Sequence, residues 1–263
     1  MLGLATAKGV TTPGTKNHDD DDDHCIKLSP DQATLYGACV ARCNFLSLDR
    51  PDIQFATKEL SRSMSDPTAG DMIGLKRLGR YLKLYPRVVF RFPFQSMPTK
   101  IDVYSDTDWA GCLRTRKSTQ GGAVLIGQHC FKHWSSTQSI IALSSGEAEY
   151  YGIVKATSVG LGIQSIMRDM GIPMELHIHT DAEAAKGIAS RKGLGKIRHM
   201  HTHYLWVQER VRNGDIVLKK VWGVENPADL LTKHLDHTRM VKLMSKFSCG
   251  HESGRALEAP NIM

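Results

Sequence analysis

Four separated acidic segments constrain this chain more than any other feature. They are Tyr104-Ser-Asp-Thr-Asp-Trp-Ala-Gly111, Ser144-Ser-Gly-Glu-Ala-Glu-Tyr150, His179-Thr-Asp-Ala-Glu-Ala-Ala185 and Glu225-Asn-Pro-Ala-Asp-Leu-Leu-Thr-Lys233. Each lies beside a run with strand or helix periodicity. Four carboxylates gathered from distant sequence can hold two divalent ions, and two hard cations about 3.5–4 Å apart support in-line displacement at phosphorus. The fold must then bring the acids together.

The rest of the chain fits a polyanionic partner. Its 263 residues carry a net charge of +7, and setting aside the five acids of the Asp19–Asp23 run raises this to +12. A basic body attracts nucleic acid by long-range field and phosphate contact. At 41% hydrophobic residues the chain can bury a real core. The six cysteines, Cys25, Cys39, Cys43, Cys112, Cys130 and Cys249, are expected to be reduced thiols, because Met1-Leu-Gly-Leu-Ala is too short for a signal h-region. No apolar run has the length of a membrane span.

Periodicity divides the chain. Residues 1–30 read as a disordered tail or linker, with turn chemistry at Thr11-Thr-Pro-Gly14 and a self-repelling Asp run. Residues 31–96 read as helices. Leu35, Cys39, Val40, Cys43 and Leu46 share one face, and Ile53, Ala56, Leu60 and Met64 a second. Met72, Leu75, Leu78 and Leu82 form a third, with Lys76, Arg77, Arg80 and Lys83 outward as a basic stripe. Residues 97–235 change to a strand period, with three strands in a meander between 99 and 135. A long helix from Ser144 to Met170 follows, then a strand after Pro173 and a short helix over 182–190. A helix over 198–212, a fifth strand over 216–221 and a last helix over 227–235 complete the series. Residues 236–263 read as a frayed tail. The order predicts an α/β fold, a mixed five-stranded sheet with helices on its faces, preceded by the small helical segment.

Spacing leaves two choices open among the acids. Asp106 and Asp108 share one face of an extended strand. Glu147 and Glu149 lie about 200° apart on a helix, so only one can point inward. Any single carboxylate is more often exposed than functional; the four together, in this element order, carry the signal.

The order and the strings resemble the ribonuclease H domain at the C-terminal end of the Pol polyprotein of copia-type long-terminal-repeat retrotransposons. Besides the first segment above, Arg116-Lys-Ser-Thr119, Ala142-Leu-Ser-Ser-Gly-Glu-Ala-Glu-Tyr150, Thr180-Asp181 and Asn226-Pro-Ala-Asp-Leu-Leu-Thr-Lys233 match. Upstream, Arg50-Pro-Asp52, Ser61-Arg62 and Arg80-Tyr-Leu-Lys83 look like the helical connection that follows the polymerase in such polyproteins. The resemblance covers roughly residues 31–235. It implies the ribonuclease H fold and hydrolysis of the RNA strand of an RNA–DNA hybrid during reverse transcription. It also implies two Mg²⁺ ions, with Mn²⁺ as substitute, and no small-molecule cofactor. The metal ligands and catalytic residues it implies are Asp106, Glu147, Asp181 and Asp229; it prefers Asp106 over Asp108 and Glu147 over Glu149. A polymerase domain, upstream or in trans, is the implied protein partner. The implied location is the cytoplasm, including virus-like particles, with no membrane attachment. No polymerase Tyr-x-Asp-Asp string occurs, so the chain looks like a C-terminal fragment or a separately encoded remnant.

Three departures stand out. His199-Met200-His201 replaces the family's histidine–aliphatic–acid pattern. Ala182-Glu183 stands where small hydroxyl residues are common. Val221-Trp-Gly-Val-Glu225 lacks the mobile histidine found before the last acid in many ribonucleases H, which bears on product release and metal exchange. A catalytically silent scaffold or domesticated remnant, binding nucleic acid or a polymerase, is the alternative reading.

For nucleic-acid contact, Arg116, Lys117 and Thr119 lie beside Trp109, which could pack on a sugar, and Arg114 is near. Lys196, Arg198 and His199 flank or follow a glycine-rich loop, with Lys192 close by. His199, His201 and His203 lack the spacing of a zinc finger. His177, His179 and Asp181 share a strand face, and imidazole there would suit zinc rather than Mg²⁺; a satisfied polar face is the simpler expectation.

Overall fold

The computed structural model describes residues 2–16, 25–195, 197 and 199–254. In chain order the elements are α1 (Pro30–Leu46), α2 (Pro51–Ser61), α3 (Ala69–Leu84), β1 (Val88–Phe90), β2 (Lys100–Asp108), β3 (Thr119–Ile126), β4 (His129–Thr137), α4 (Ser145–Asp169), β5 (Glu175–Thr180), α5 (Glu183–Ser190), α6 (Trp206–Arg212), β6 (Val217–Lys220), α7 (His237–Lys246) and β7 (Cys249–His251). They fall into two compact units. One runs to Arg91 and resumes at His234; the other is Phe92–Lys233.

In the first unit the expected helices form, and local sequence explains their ends. Ser29 and Thr68 make reciprocal capping boxes with Gln32 and Asp71, and Pro51 sits in the first turn of α2 where its missing N–H costs nothing. Leu75, Leu78 and Tyr81 bury one face of α3. Two expectations are corrected. Of the expected frayed tail over 236–263, the described part to 254 is ordered: α7 buries Met240, Leu243 and Met244, and β7 pairs antiparallel with β1. A reading by Gly, Ser and His content missed the helical spacing of those apolar residues. The basic stripe of α3 is also not bare. Lys83 Nζ donates to the carbonyls of Leu4, Ala5 and Ala7, Arg80 Nε to that of Lys8, and Arg77 to Thr12 Oγ1. The start of the chain, expected to be a disordered tail, thus lies on that stripe. The Asp19–Asp23 run falls outside the described residues.

The second unit holds the predicted mixed five-stranded sheet, in the order β4-β3-β2-β5-β6. The meander β2-β3-β4 is antiparallel; β5 runs parallel to β2, and β6 parallel to β5. Strand alternation sends Ile101 and Val103 of β2, with Leu176 and Ile178 of β5, into a core with Ile153 and Ala156 of α4. Asp102, Tyr104 and Asp106 project from the other face of β2. The packing of α4 is close: a Cβ added at Gly152 would lie 2.6 Å from Thr107 Oγ1, and one at Gly160 2.7 Å from Leu176 Cδ1. Larger residues there would lift the helix off the strand. Two predicted helices differ. The segment over 198–212 begins as a 3₁₀ turn, Thr202–Leu205, before α6, and the segment over 227–235 is a 3₁₀ turn, Pro227–Leu231. Among the described residues no helix is long and apolar enough to cross a membrane.

Candidate metal centre

Strand register brings the first two acids together. In the parallel pairing of β2 with β5, Tyr104 faces His179. Two residues further on are Asp106 and Asp181, at the same edge of the sheet and on the same face. The third acid comes from α4. Ser144 caps the helix, accepting from the Glu147 N–H, and the side chain of Glu149 reaches β2, where its Oε1 accepts from the Thr107 N–H at 3.2 Å. Asp106, Glu149 and Asp181 each offer an oxygen, all within 4.8 Å of one another.

This corrects the choice of Glu147. On a helix Glu147 points about 200° away from Glu149. Its Oε1 accepts from Tyr151 O–H at 2.8 Å, and its Oε2 accepts from the Leu143 N–H at 3.0 Å and from His199 Nε2 at 2.9 Å. Its lone pairs are therefore used away from the cluster. Burial works against ionisation of Glu147, yet the hydrogen bonds from His199, Tyr151 and Leu143 hold its carboxyl below the ordinary range. The repeated Ala-Glu spacing of Gly-Glu-Ala-Glu made both residues candidates; only the packing of α4 on β2 separates them.

Asp229 enters on the Pro227–Leu231 turn. Asn226 caps that turn by accepting from the Ala228 N–H at 3.1 Å, and its amide donates to the Ser105 carbonyl at 3.0 Å, which pins the turn to β2. Gly121 makes room for it, since an added Cβ would lie 2.7 Å from Thr232 Cγ2. Two neighbours went unnoticed in the sequence. Thr232 Oγ1 donates to Asp106 Oδ2 in a short hydrogen bond. Lys233 Nζ lies 2.7 Å from Asp229 Oδ1 and 3.3 Å from Asp106 Oδ2. The four-residue spacing of Asp229 and Lys233 was the available signal.

The electrostatics follow from crowding. Burial, and then the negative charges of Asp229 and Asp181, push the Asp106 carboxyl up against the pull of Lys233 and Thr232. Burial and the charges of Asp106 and Asp181 push Glu149 up further. Asp181 is raised by burial and by Asp229. Burial would lower the Lys233 ammonium, but the two aspartates outweigh it and raise it. Glu149 Oε2 is buried and has no hydrogen-bond partner among the described residues. A buried polar oxygen without a partner is costly, and the hard carboxylate set fits a divalent cation of the Mg²⁺ class.

The residues expected to touch nucleic acid divide. Trp109 is 47% exposed, and its indole orientation is fixed by Nε1 donating to the Ala142 carbonyl at 3.0 Å. Arg116 is exposed at a positive φ of 56°, and Lys117 is half-buried. Thr119 is 1% exposed at the start of β3, paired between Asp108 and Thr137, so it is corrected to a structural position. His199 is half-exposed and bonded to Glu147. Lys196 and Arg198 lie outside the described residues. The donor atoms of His199, His201 and His203 form no converging group among the described residues.

No protein-family model matches the chain. Among curated proteins it is similar to the retrovirus-related Pol polyprotein from transposon RE1 of Arabidopsis thaliana, 30% identical over 246 residues, which is 92% of this chain and 17% of that protein. The polyprotein from transposon RE2 of the same plant is 29% identical over 94% of the chain, and that from transposon TNT 1-94 of Nicotiana tabacum 27% identical over 70%. The chain spans less than a fifth of these relatives, 14–17% of their length. Among solved structures, LC11-RNase H1 isolated from compost matches with a TM-score of 0.37 at 17% identity, over 51% of this chain and 93% of that one. The N-terminal RNase H domain of rv2228c from Mycobacterium tuberculosis matches with 0.37 at 15% identity, over 56% and 97%. Over most of its length, then, the homologues of this chain are retrovirus-related Pol polyproteins of plant transposons.

Proposed function

We propose that the second unit is a metal-dependent endonuclease that hydrolyses the RNA strand of RNA–DNA hybrids during retrotransposon reverse transcription. The observation that carries this reading is the convergence of Asp106, Glu149 and Asp181 from two parallel strand ends and one helix, with Asp229 beside them. These four would hold two Mg²⁺ ions, or Mn²⁺ in their place. Bound there, the ions would supply an activated water and stabilise the leaving oxygen. The protein's own residues do the rest. Thr232 and Lys233 fix the Asp106 and Asp229 carboxylates in place. The Thr107 N–H orients Glu149. Trp109, Arg116 and Lys117 lie on the loop that follows β2 from the cluster, where they would make sugar and phosphate contacts that read hybrid shape rather than base sequence. The protein partner in this reading is a polymerase domain, upstream or in trans, as the Pol relatives suggest.

The Lys233 ion pairs favour a second reading. An ammonium already balances part of the acid charge, so the cluster could persist as a metal-free scaffold that only grips nucleic acid. A labelled RNA–DNA hybrid separates the two, incubated with the chain in Mg²⁺, Mn²⁺ or EDTA and alongside Asp181→Asn. Cutting of the RNA strand alone, abolished by EDTA and by the variant, is the expected result. Binding without cutting in either metal would establish the scaffold.

A further inference from the structure

A second cluster of metal-binding donors lies on the same sheet and plays no part in the reading above. We propose that Asp102, His177 and His179 form a site for one zinc-class divalent ion, separate from the carboxylate cluster. Asp102 on β2 stands directly opposite His177 on β5, and His179 follows two residues later on the same strand face. Each offers one donor atom, and the three lie within 4.8 Å of one another. His179 Nε2 is 2.7 Å from Asp102 Oδ1, and His177 Nδ1 is 3.7 Å from the same oxygen. Ligand atoms about 2.0–2.1 Å from a tetrahedral zinc sit roughly 3.3 Å apart, which these two separations bracket. Small side-chain movements would therefore admit the ion.

The surroundings are those of a supported ligand set. His177 points Nδ1 at Asp102 and its other nitrogen, Nε2, at Glu175 Oε2, 3.2 Å away. A carboxylate on the far nitrogen fixes the ring and its tautomer, and metal-bound histidines nearly always have such a partner. The ring of His179 is stacked on Tyr104 at 4.5 Å and 16°. The side chains keep 11–16% of their surface exposed, enough for an ion to enter without opening the sheet. For His179, binding requires only that the proton on Nε2 leave or move to Nδ1.

Donor chemistry separates the two clusters. Two imidazoles and one carboxylate select Zn²⁺, Co²⁺ or Ni²⁺; three or four carboxylates select Mg²⁺ or Mn²⁺. Asp102 and Asp106 are four residues apart on one strand, ~13 Å, so one ion cannot serve both. Three protein ligands leave a coordination position open. The ion would tie β2 to β5, the two strands that set the register of Asp106 and Asp181. The site does not depend on the nuclease reading.

The full chain is titrated with Co²⁺, followed by visible absorption and by competition with Zn²⁺. The expected result is one equivalent with the intense bands of a low-coordinate site. Affinity should fall about tenfold or more in His177→Gln and His179→Gln, and about tenfold in Glu175→Gln. It should be unchanged in Asp106→Asn, Asp181→Asn and the His201→Ala/His203→Ala pair. Binding that survives His179→Gln, or that follows the acid cluster or His201 and His203, overturns the proposal. The wild-type chain gives a reading that needs no variant: Zn²⁺ must shift the ring resonances of Tyr104. Tyr104 resonances unmoved at saturating Zn²⁺ overturn it as well.

Discussion

The two donor clusters of the sheet differ in what balances them. Asp102, His177 and His179 sit mid-strand, and every acid there has an imidazole beside it. Burial works against ionisation of Asp102, but the His179 hydrogen bond and nearby positive charge hold its carboxyl below the ordinary range. Asp106 and Asp181 sit at the strand ends, Glu149 reaches them from α4, and all three carboxyls are pushed up. One sheet thus carries a cluster whose acid is hydrogen-bonded and a cluster whose acids are crowded. A satisfied polar group adds stability, and an unsatisfied one marks a place where a missing charge would be welcome.

The largest effect that would break this contrast is on cleavage. Asp106→Asn, Glu149→Gln and Asp181→Asn should each lower RNA-strand cutting by at least about a hundredfold, or ~2.7 kcal/mol of transition-state stabilisation, with hybrid binding retained. Glu147→Gln should leave the rate within about threefold, under ~0.7 kcal/mol. A Glu147 variant as inactive as the Glu149 one would return the site to the arrangement that the sequence resemblance implies.

Ion selectivity sharpens the contrast next. At a free concentration of about 100 Kd, Zn²⁺ should add ~2.7 kcal/mol to the stability of the folded chain, read as a rise in thermal midpoint. His179→Gln should lose that rise and Asp106→Asn keep it. Mg²⁺ should show the reverse pattern.

The pH dependence of the metal-free protein comes third. The carboxyls of Glu149 and Asp106 are raised in the folded state, so the unfolded chain loses those protons first as pH rises. Their contribution is full below the ordinary carboxylate pKa of about 4 and is lost as pH climbs through the raised folded values. Stability in EDTA should therefore fall with pH above that range, and Glu149→Gln should flatten the fall in a urea titration series. A slope unchanged in the variant would remove Glu149 from the crowded cluster.

Smaller effects test the charges at its edge. Lys233→Met removes the cation shared by Asp106 and Asp229. The lysine is over a third exposed, so the loss of metal-free stability should be only about 1 kcal/mol, measured by chemical denaturation. A Lys233→Met chain as stable as the wild type would show that the ammonium leaves the acids unbalanced. Arg116→Ala should weaken hybrid binding slightly and lower the salt slope by about one. Thr119→Ser, buried in β3, should leave that slope alone.

Much of the fold was legible because it depends on local patterning. The alternation of Ile101 and Val103 with Asp102 and Tyr104 fixed β2 and its two faces, and the Ser144 cap fixed the start of α4. The α7–β7 segment was not legible by composition, because Met240, Leu243, Met244 and Phe247 are few among polar residues and show their purpose only when buried. Nor could content alone show that the first residues would occupy the donors of Arg77, Arg80 and Lys83.

The sequence by itself determined which chemistry this chain can hold: acids at strand ends and a helix start, histidines alternating on one strand, a basic body. It could not choose between Glu147 and Glu149, which differ by a rotation about one helix axis. Tertiary structure made that choice, because Gly152 lets α4 settle against Thr107 and Ser105 and so turns Glu149 toward Asp106. It also placed Asp102 opposite His177, since cross-strand register is set by the pairing of β2 with β5 and is written in neither strand alone.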